Sequence, residues 1–465
     1  MVFASLEFLA LFLPLFFACY LVTPQAWRNH TLLLGSWLFY AWWTPKFLIL
    51  IIGLTVLAWA AAILIDKASS ETLKTRIMAA AITLNLASLI WYKYTNMLVA
   101  TLNQFLLGHD LPALAWENLM LPIGLSFTVL HAISYLVDVR RKTVDCQYDF
   151  IAFSAYMAMF PHLIAGPIVR YKIIDKEIRE RVFSIDKFAA GVRRFMIGFS
   201  MKVLIADTLA PVVALGFSIK DPSFSDAWIA CGAYTLQLFF DFAGYSAMAI
   251  GLGLMLGFHF AENFNHPYLA VSIQDFWRRW HMTLSSWLRD YLYISLGGNR
   301  YGLHRTYVNL MLTMAIGGLW HGGDNWNYLI WGIIQGAALC CDRMFTQAGY
   351  QMPDWLSRLL TLIVVMLAWT VFRAENFDVA THIWAGQFGL NGFAMGEQIR
   401  LALRPTIVAT FVLGILCVVY PATPLAKRGG LGIASWSMVW PALTFIFAVI
   451  ILTGQQAIPF LYFQF

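Results

Sequence analysis

Of 465 residues, 60% are hydrophobic and only 12% are charged, against roughly 25% charged in a soluble domain. That balance excludes an ordinary soluble globular protein, and the long, uniformly apolar runs exclude an outer-membrane barrel, whose strands alternate between two faces. The excess of 31 Lys+Arg over 25 Asp+Glu calls for no nucleic acid, because cytoplasmic loops of membrane proteins are enriched in basic residues. The expected fold is an all-α polytopic membrane protein of about ten to twelve helical segments, some re-entrant or interfacial. The six cysteines (Cys19, Cys146, Cys231, Cys340, Cys341 and Cys417) form no C-x-x-C and read as small buried hydrophobes.

The opening run, MVFASLEFLALFLPLFFACYLV, has no basic residue before its apolar core. It therefore reads as a retained helix and not a cleaved signal, with Arg28 on the inner side. HTLLLGSWLFYAWW, interrupted at Pro45, and FLILIIGLTVLAWAAAILI form a hairpin that returns to Lys67, Lys74 and Arg76. Met78 to Trp91 leads outward to a polar loop around Gly108–Asp110, and Leu119 to Val137 returns to Arg140, Arg141 and Lys142. FIAFSAYMAMFPHLIAGPIVRYK has basic residues on both flanks, so the positive-inside bias places both flanks in the cytoplasm. Pro161, Gly166 and Pro167 fall where a re-entrant loop turns, a backbone tolerated at membrane depth only inside protein.

Phe195 to Leu215 then crosses outward to Ile219–Asp226. Ala227 to Phe258 exceeds the roughly 20 residues that one span needs, which predicts a tilt or a break at Gly251/Gly253. Farther on, Leu310–Trp320, Tyr328–Leu339, Leu359–Val371, Ile407–Tyr420 and Met438–Leu452 read as membrane helices, with Phe377–Phe388 along the interface. Lys427 and Arg428 predict a cytoplasmic loop and an outward C-terminus. No linker, repeat or low-complexity tract divides the chain, so residues 1–465 read as one integral-membrane domain.

Gln274 to Gly336 carries the residues suited to chemistry. QDFWRRWHMTLSSWLRDYLYISLGGNR and GGLWHGGDNWNYLIWG set His281 and His321 among tryptophans. Ionisable groups at membrane depth are costly and usually line a cavity or pathway. Tyr307 to Trp320 is about fourteen residues, roughly 21 Å against a hydrocarbon core of about 30 Å, which predicts that HGGDNWN turns within the membrane profile. A histidine there suits general-base work on a hydroxyl; a structural histidine bonded to a carbonyl is the competing reading. Phe276, Trp280, Leu284, Trp287 and Leu288 recur at spacings of three and four, predicting one amphipathic helix through His281. Arg278, Arg279, Arg289 and Asp290 form its charged face, either anchoring an interfacial helix or receiving the phosphates of an anionic donor. Trp320 and Asp324, beside His321, are further candidate donor or substrate contacts. Asp241, in LQLFFDFAGYSAMAIG, reads first as an internal ion-pair partner and second as a donor contact. G-x-S-x-G, G-x-x-x-x-G-K-[ST] and H-E-x-x-H are absent. A two-histidine metal site is too unspecific to adopt, so no metal is expected.

WRRWHMTLSSWLRDYLYISLGGNR followed by GGLWHGGDNWNYLIWG resembles the membrane-bound O-acyltransferase family. It is most similar to the bacterial branch that acetylates exopolysaccharides such as alginate and cellulose. The likeness runs from MVFASLEFLALFLPLFF and FYAWW through GPIVRYK, DFAGYSAMAIG and FNHPYLAVSIQDFWRRWH to VFRAENFDVA and FLYFQF, nearly the whole chain. The resemblance implies a helical fold whose central funnel meets a buried histidine, His321, with His281 as the second polar residue of the site. It implies a cytosolic acyl thioester donor, acetyl-CoA in this branch, and no tightly bound cofactor. The acetyl group would leave on the periplasmic side of the inner membrane, where a partner acetyltransferase places it on the polymer. Two positions depart from the family pattern, H-G-x-x-W followed by W-G-x-x-H-G. Trp326 comes one residue late, and Gln335 stands in the place of the downstream histidine. The rival expectations are a non-catalytic transporter or scaffold for an acyl carrier or polymer, and acylation of teichoic acid or lipid.

Overall fold

Apolar runs without alternation satisfy their backbone inside helices. The computed structural model describes residues 2–422, 438–454 and 458–461, and contains no strand among them. Lys427 and Arg428 lie outside the described residues, as do the last four residues of FLYFQF. By contact the chain divides into two compact units, Met1–Phe195 with Met248–Ala261, and Met196–Ala247 with Glu262–Phe465.

The first unit opens with a π-helical turn, Phe8–Phe12, then α1 (Leu13–Val22), α2 (Arg28–Ala41), α3 (Pro45–Lys67), α4 (Glu71–Leu107) and α5 (Leu125–Arg140). Pro45 starts α3 because its missing N–H is one that a helix start leaves unpaired anyway. Ser70 caps α4, its Oγ accepting from Leu73 N at 3.1 Å. Nothing breaks α4 near Trp91, and it continues for 37 residues to Gly108. The re-entrant expectation has its counterpart in α6 (Phe150–Ala158) and α7 (Phe160–Leu163), separated by an extended Met159. Helices of nine and four residues are too short to cross a hydrocarbon core of about 30 Å. Every residue from Ala152 to Tyr171 is buried, which is the environment such broken backbone needs. α8 (Tyr171–Arg179) follows, then α9 (Ile185–Ser200).

In the second unit a π-helical turn, Met201–Ala206, leads into α10 (Asp207–Ser218) and α11 (Phe224–Leu256), the last part of which, from Met248, belongs to the first unit. α11 is unbroken over 33 residues, correcting the expected interruption at Gly251/Gly253. Gly251 permits close packing instead: a Cβ there would stand 2.6 Å from the carbonyl oxygen of Gly191. Next come α12 (Ile273–Trp277), α13 (Met282–Trp287) running into a π-helical turn at Leu288–Tyr293, α14 (Gly302–His321), α15 (Asn327–Gln347) and α16 (Asp354–Arg373). α17 (Phe377–Gln387), α18 (Glu397–Ala402), α19 (Pro405–Val419) and α20 (Val439–Thr453) complete the described chain. Among the described residues, five segments are long and apolar enough to cross a membrane: 45–67, 71–107, 185–218, 224–256 and 354–373.

Three expectations need correction here. α14 has 20 residues and α15 has 21, about 30 Å each, so helix shortness does not set the depth of the turn between them. The amphipathic helix expected through His281 is two helices, α12 and α13, with a reversal between them. Of the cysteines, only Cys231 and Cys340 are buried, while Cys19, Cys341 and Cys417 face outward on helix surfaces.

Candidate active site

The α14–α15 hairpin is built on backbone contact. A Cβ on Gly318 would lie 2.2 Å from the Tyr328 carbonyl oxygen, and one on Gly332 would lie 2.4 Å from that of Met314. Only glycine allows this approach, and it brings the end of α14 against the start of α15. His321, the last residue of α14, is thereby packed among aromatic rings. Its ring centroid lies 5.0 Å from Trp320, 5.3 Å from Trp331 and 5.5 Å from Phe372. Behind this wall Trp331 stacks on Trp369 at 5.7 Å, and Trp369 meets Trp280 at 5.1 Å.

The HGGDNWN turn is clipped to the end of α16. Asn327 Nδ2 donates to the Ala374 carbonyl at 2.8 Å, and Asn325 Nδ2 donates to that of Glu375 at 3.2 Å. Asn325 Oδ1 also accepts from the backbone N–H of Asn327 at 2.9 Å. These bonds answer carbonyls just past the end of α16 and one orphan N–H at the start of α15, and so fix the turn that follows His321.

His281 arrives by a different route. It occupies the left-handed region, φ 42° and ψ 54°, between α12 and α13. A non-glycine residue there is strained, and such strain persists only where the surroundings impose it. The imposing residue is Asn263, itself fully buried. Its backbone oxygen accepts from Met282 N at 2.9 Å, and its Oδ1 accepts from Thr283 Oγ1 at 2.9 Å and Thr283 N at 3.3 Å. Its Nδ2 donates to Ser246 Oγ at 3.0 Å. Two residues before His281, the Arg279 carbonyl accepts from Asn265 N at 2.9 Å. The buried His281 ring packs edge-on to Phe242 at 4.7 Å and stands 6.4 Å, centroid to centroid, from His321. Two imidazoles separated by 40 residues of sequence thus share one aromatic chamber wall.

The membrane-bound O-acyltransferase family model matches residues 124–376, more than half of the chain and the whole of this site. The chain belongs to that family. Its similarity to individual members is extensive. It is 41% identical to a probable alginate O-acetylase AlgI of Pseudomonas putida, over the full length of both chains. It is 44% identical to the Pseudomonas aeruginosa protein of the same name, over 90% of this chain and 81% of that one. It is 34% identical to a peptidoglycan O-acetyltransferase of Helicobacter pylori, over 83% of this chain and 80% of that one. The protein is therefore a multi-pass membrane O-acyltransferase.

Within this O-acyltransferase the other candidates separate into groups. Trp320 joins the histidine pair, 5.0 Å from His321 and 6.4 Å from His281. Arg278 is exposed, Arg279 is paired with Asp275 at 2.9 Å, and Arg289 is paired with its neighbour Asp290 at 2.8 Å. They lie on the outer side of the α12–α13 segment, as an interfacial anchor would. Asp324 is exposed on the turn, so sequence adjacency does not bring its carboxylate into the buried wall. Asp241 is held in an internal ion pair, as its first reading has it. Its Oδ1 lies 2.6 Å from Lys202 Nζ, which also pairs with Asp207 at 2.6 Å, and its Oδ2 accepts from Leu461 N at 3.0 Å. Among the described residues no three His, Cys, Asp or Glu side chains gather as metal ligands would.

Four residues of the site escaped sequence reasoning. Asn263 and Asn327 were legible only as polar residues in apolar surroundings, and Trp369 and Phe372 read as ordinary span residues. Gln335, in the place of the downstream family histidine, is fully buried and accepts from Trp277 Nε1 at 3.2 Å. There it braces the tryptophan next to Trp331, which stands 5.9 Å from Trp277.

Proposed function

We propose that this enzyme transfers an acetyl group from a cytosolic thioester, of the acetyl-CoA class, to an oxygen acceptor on the path to an exopolysaccharide. The observation that carries the reading is the pair of buried imidazoles 6.4 Å apart inside an aromatic wall. A general base must come within roughly 3 Å of the oxygen whose proton it removes, and this spacing lets both rings address one small group held between them. His321 takes the proton of the acceptor hydroxyl as its oxygen attacks the thioester carbonyl. The carbon–sulfur bond then breaks, and the thiolate leaves to be protonated. His281, fixed by a strained turn, positions the acceptor or the acyl carbonyl. The surrounding tryptophans exclude water, which protects the thioester from hydrolysis and strengthens the polar contacts made inside.

A similar protein named for alginate O-acetylation covers this chain end to end, which supports alginate as the polymer. The acetyl group would pass to a partner acetyltransferase on the periplasmic side of the inner membrane. The name of the Helicobacter pylori relative makes a peptidoglycan hydroxyl the alternative acceptor.

The test is single-turnover transfer from labelled acetyl-CoA by the purified full-length chain, wild type against His321→Ala. Loss of a general base lowers the rate by roughly 10²–10⁴-fold. Transfer at the wild-type rate by a variant present at wild-type abundance would overturn the mechanism. Donor binding without turnover by the wild type would assign a transporter or scaffold instead.

A further inference from the structure

α4 is longer than a membrane requires. Its 37 residues make about 55 Å, and a tilt of about 40° still leaves roughly 42 Å along the membrane normal, against a hydrocarbon core of about 30 Å. Charge sets the direction of the excess. Arg140, at the end of α5, pairs with Glu71, at the start of α4, at 2.8 Å. These two ends carry Lys74, Arg76, Arg140, Arg141 and Lys142 and so face the cytoplasm. The other end of α4 therefore rises on the opposite side. The residues that α4 buries recur at every fourth position, Ala81, Asn85, Leu89, Lys93 and Met97, and stop there. None from Leu98 to Leu107 is buried.

A short helix end without tertiary support frays, yet this one is built. The extended chain that follows it is clamped back along it by Asn96 and Asn103, which share one helix face. Asn103 Oδ1 accepts from Leu114 N at 2.8 Å, and its Nδ2 donates to the Leu114 carbonyl at 3.1 Å. Asn96 repeats the pairing on Leu119, at 2.9 Å and 2.8 Å, and its Oδ1 also accepts from Trp116 Nε1 at 3.0 Å. Residues 110–118 are all exposed. Exposed, extended backbone of this kind is not tolerated in hydrocarbon and lies outside it.

The surface carried there is nevertheless apolar. On the side of α4 away from the asparagines, Leu98, Leu102 and Phe105 form a stripe at spacings of four and three, 48%, 44% and 59% exposed. Exposed apolar surface outside the lipid core marks an interface, and a stripe of this spacing is the kind that lies in a partner's groove. The charges say which partner. Between Lys93 and Arg140 the chain has no Lys or Arg, whereas Asp110 and Glu117 stand exposed beside the stripe's helix end. Like charge disfavours a second copy of this chain, and acids disfavour a lipid surface, whose anionic headgroups draw basic segments. A protein with basic residues around an apolar groove is complementary on both counts.

We propose that the outer end of α4, with the segment clamped to it, docks such a protein on the non-cytoplasmic side. The partner's identity rests on the function proposed above: it is the acetyltransferase that takes up the acetyl group.

Leu102→Glu and Phe105→Glu place charge in the stripe and belong to no part of the histidine site. Polymer acetylation in cells should fall about tenfold or more, the loss of an interface hot spot. Single-turnover transfer from labelled acetyl-CoA by each purified full-length variant should stay at the wild-type rate. Should the stripe variants fail to accumulate, Glu117→Lys with Asp110→Asn changes only the rim and should lower polymer acetylation in the same way. Phe105→p-benzoylphenylalanine, irradiated in cells, should cross-link the periplasmic acetyltransferase. Wild-type polymer acetylation in the variants, or a single-turnover rate that falls as far as polymer acetylation does, would overturn the docking surface. So would an adduct confined to lipid, to a second copy of the chain or to another protein. A wild type that transfers no acetyl group while position 105 still cross-links the acetyltransferase would overturn the reaction and leave the docking surface standing.

Discussion

His321 and His281 reach the same chamber by opposite means. His321 ends a regular 20-residue helix, and its place follows from a glycine-packed hairpin whose contacts lie within about fifteen residues of it. His281 sits on a left-handed reversal that its own neighbours would not choose, held by Asn263 from 18 positions upstream. One imidazole is placed by local close packing, the other by a long-range hydrogen-bonded clamp. A motif's helical periodicity can be sound on either side of the residue that matters and fail at that residue. Strain of this kind is tolerated where the position of a side chain has to be specified.

The comparison can be broken first at the hairpin. Gly318→Val would force atoms into the Tyr328 carbonyl, already only 2.2 Å from an added Cβ. Overpacking of this kind costs about 1–3 kcal/mol or more. A marked fall in Tm and loss of transfer are expected together, read by thermal unfolding in detergent and by the turnover assay. A variant of wild-type stability would show that α14 and α15 do not depend on this approach.

The clamp is the next target, and two variants divide it. Asn263→Ala leaves Thr283 N–H and Ser246 without their partner, a loss of about 1–3 kcal/mol, and should lower stability and transfer together. His281→Gly removes the imidazole but relieves the left-handed conformation, worth roughly 1 kcal/mol. The vacated ring site opposes that relief, so Tm should fall less than in His281→Ala while transfer falls as far. If His281→Gly kept full transfer, the turn would matter and the imidazole would not, which would end the positioning role proposed for His281.

The smallest effect is expected at Asp324. An exposed carboxylate outside the chamber changes stability by no more than about 0.5 kcal/mol when neutralised, and Asp324→Asn should transfer at nearly the wild-type rate. A loss as large as that of His321→Ala would mean that Asp324 reaches the imidazole during turnover.

Much of this protein was legible before any coordinates. Composition by itself determined a helical membrane protein, because apolar runs without alternation leave the backbone no other way to pair in lipid. The basic flanks and Pro161 pointed to a broken segment after Phe150, and the chain there forms two short buried helices. The tryptophan-rich motifs singled out both histidines and Trp320. Tertiary structure alone decided which other residues belong with them. Asp241 faces Lys202, 39 positions upstream of it, while Arg279 and Arg289 pair locally with Asp275 and Asp290. Asn263, Asn327 and Gln335 acquire their roles only from partners distant in sequence. Helical periodicity records which face of a segment is apolar, and hydrogen bonds between segments then choose where the helix must stop. At His281 the clamp from Asn263 outweighs the helix that the surrounding pattern specifies.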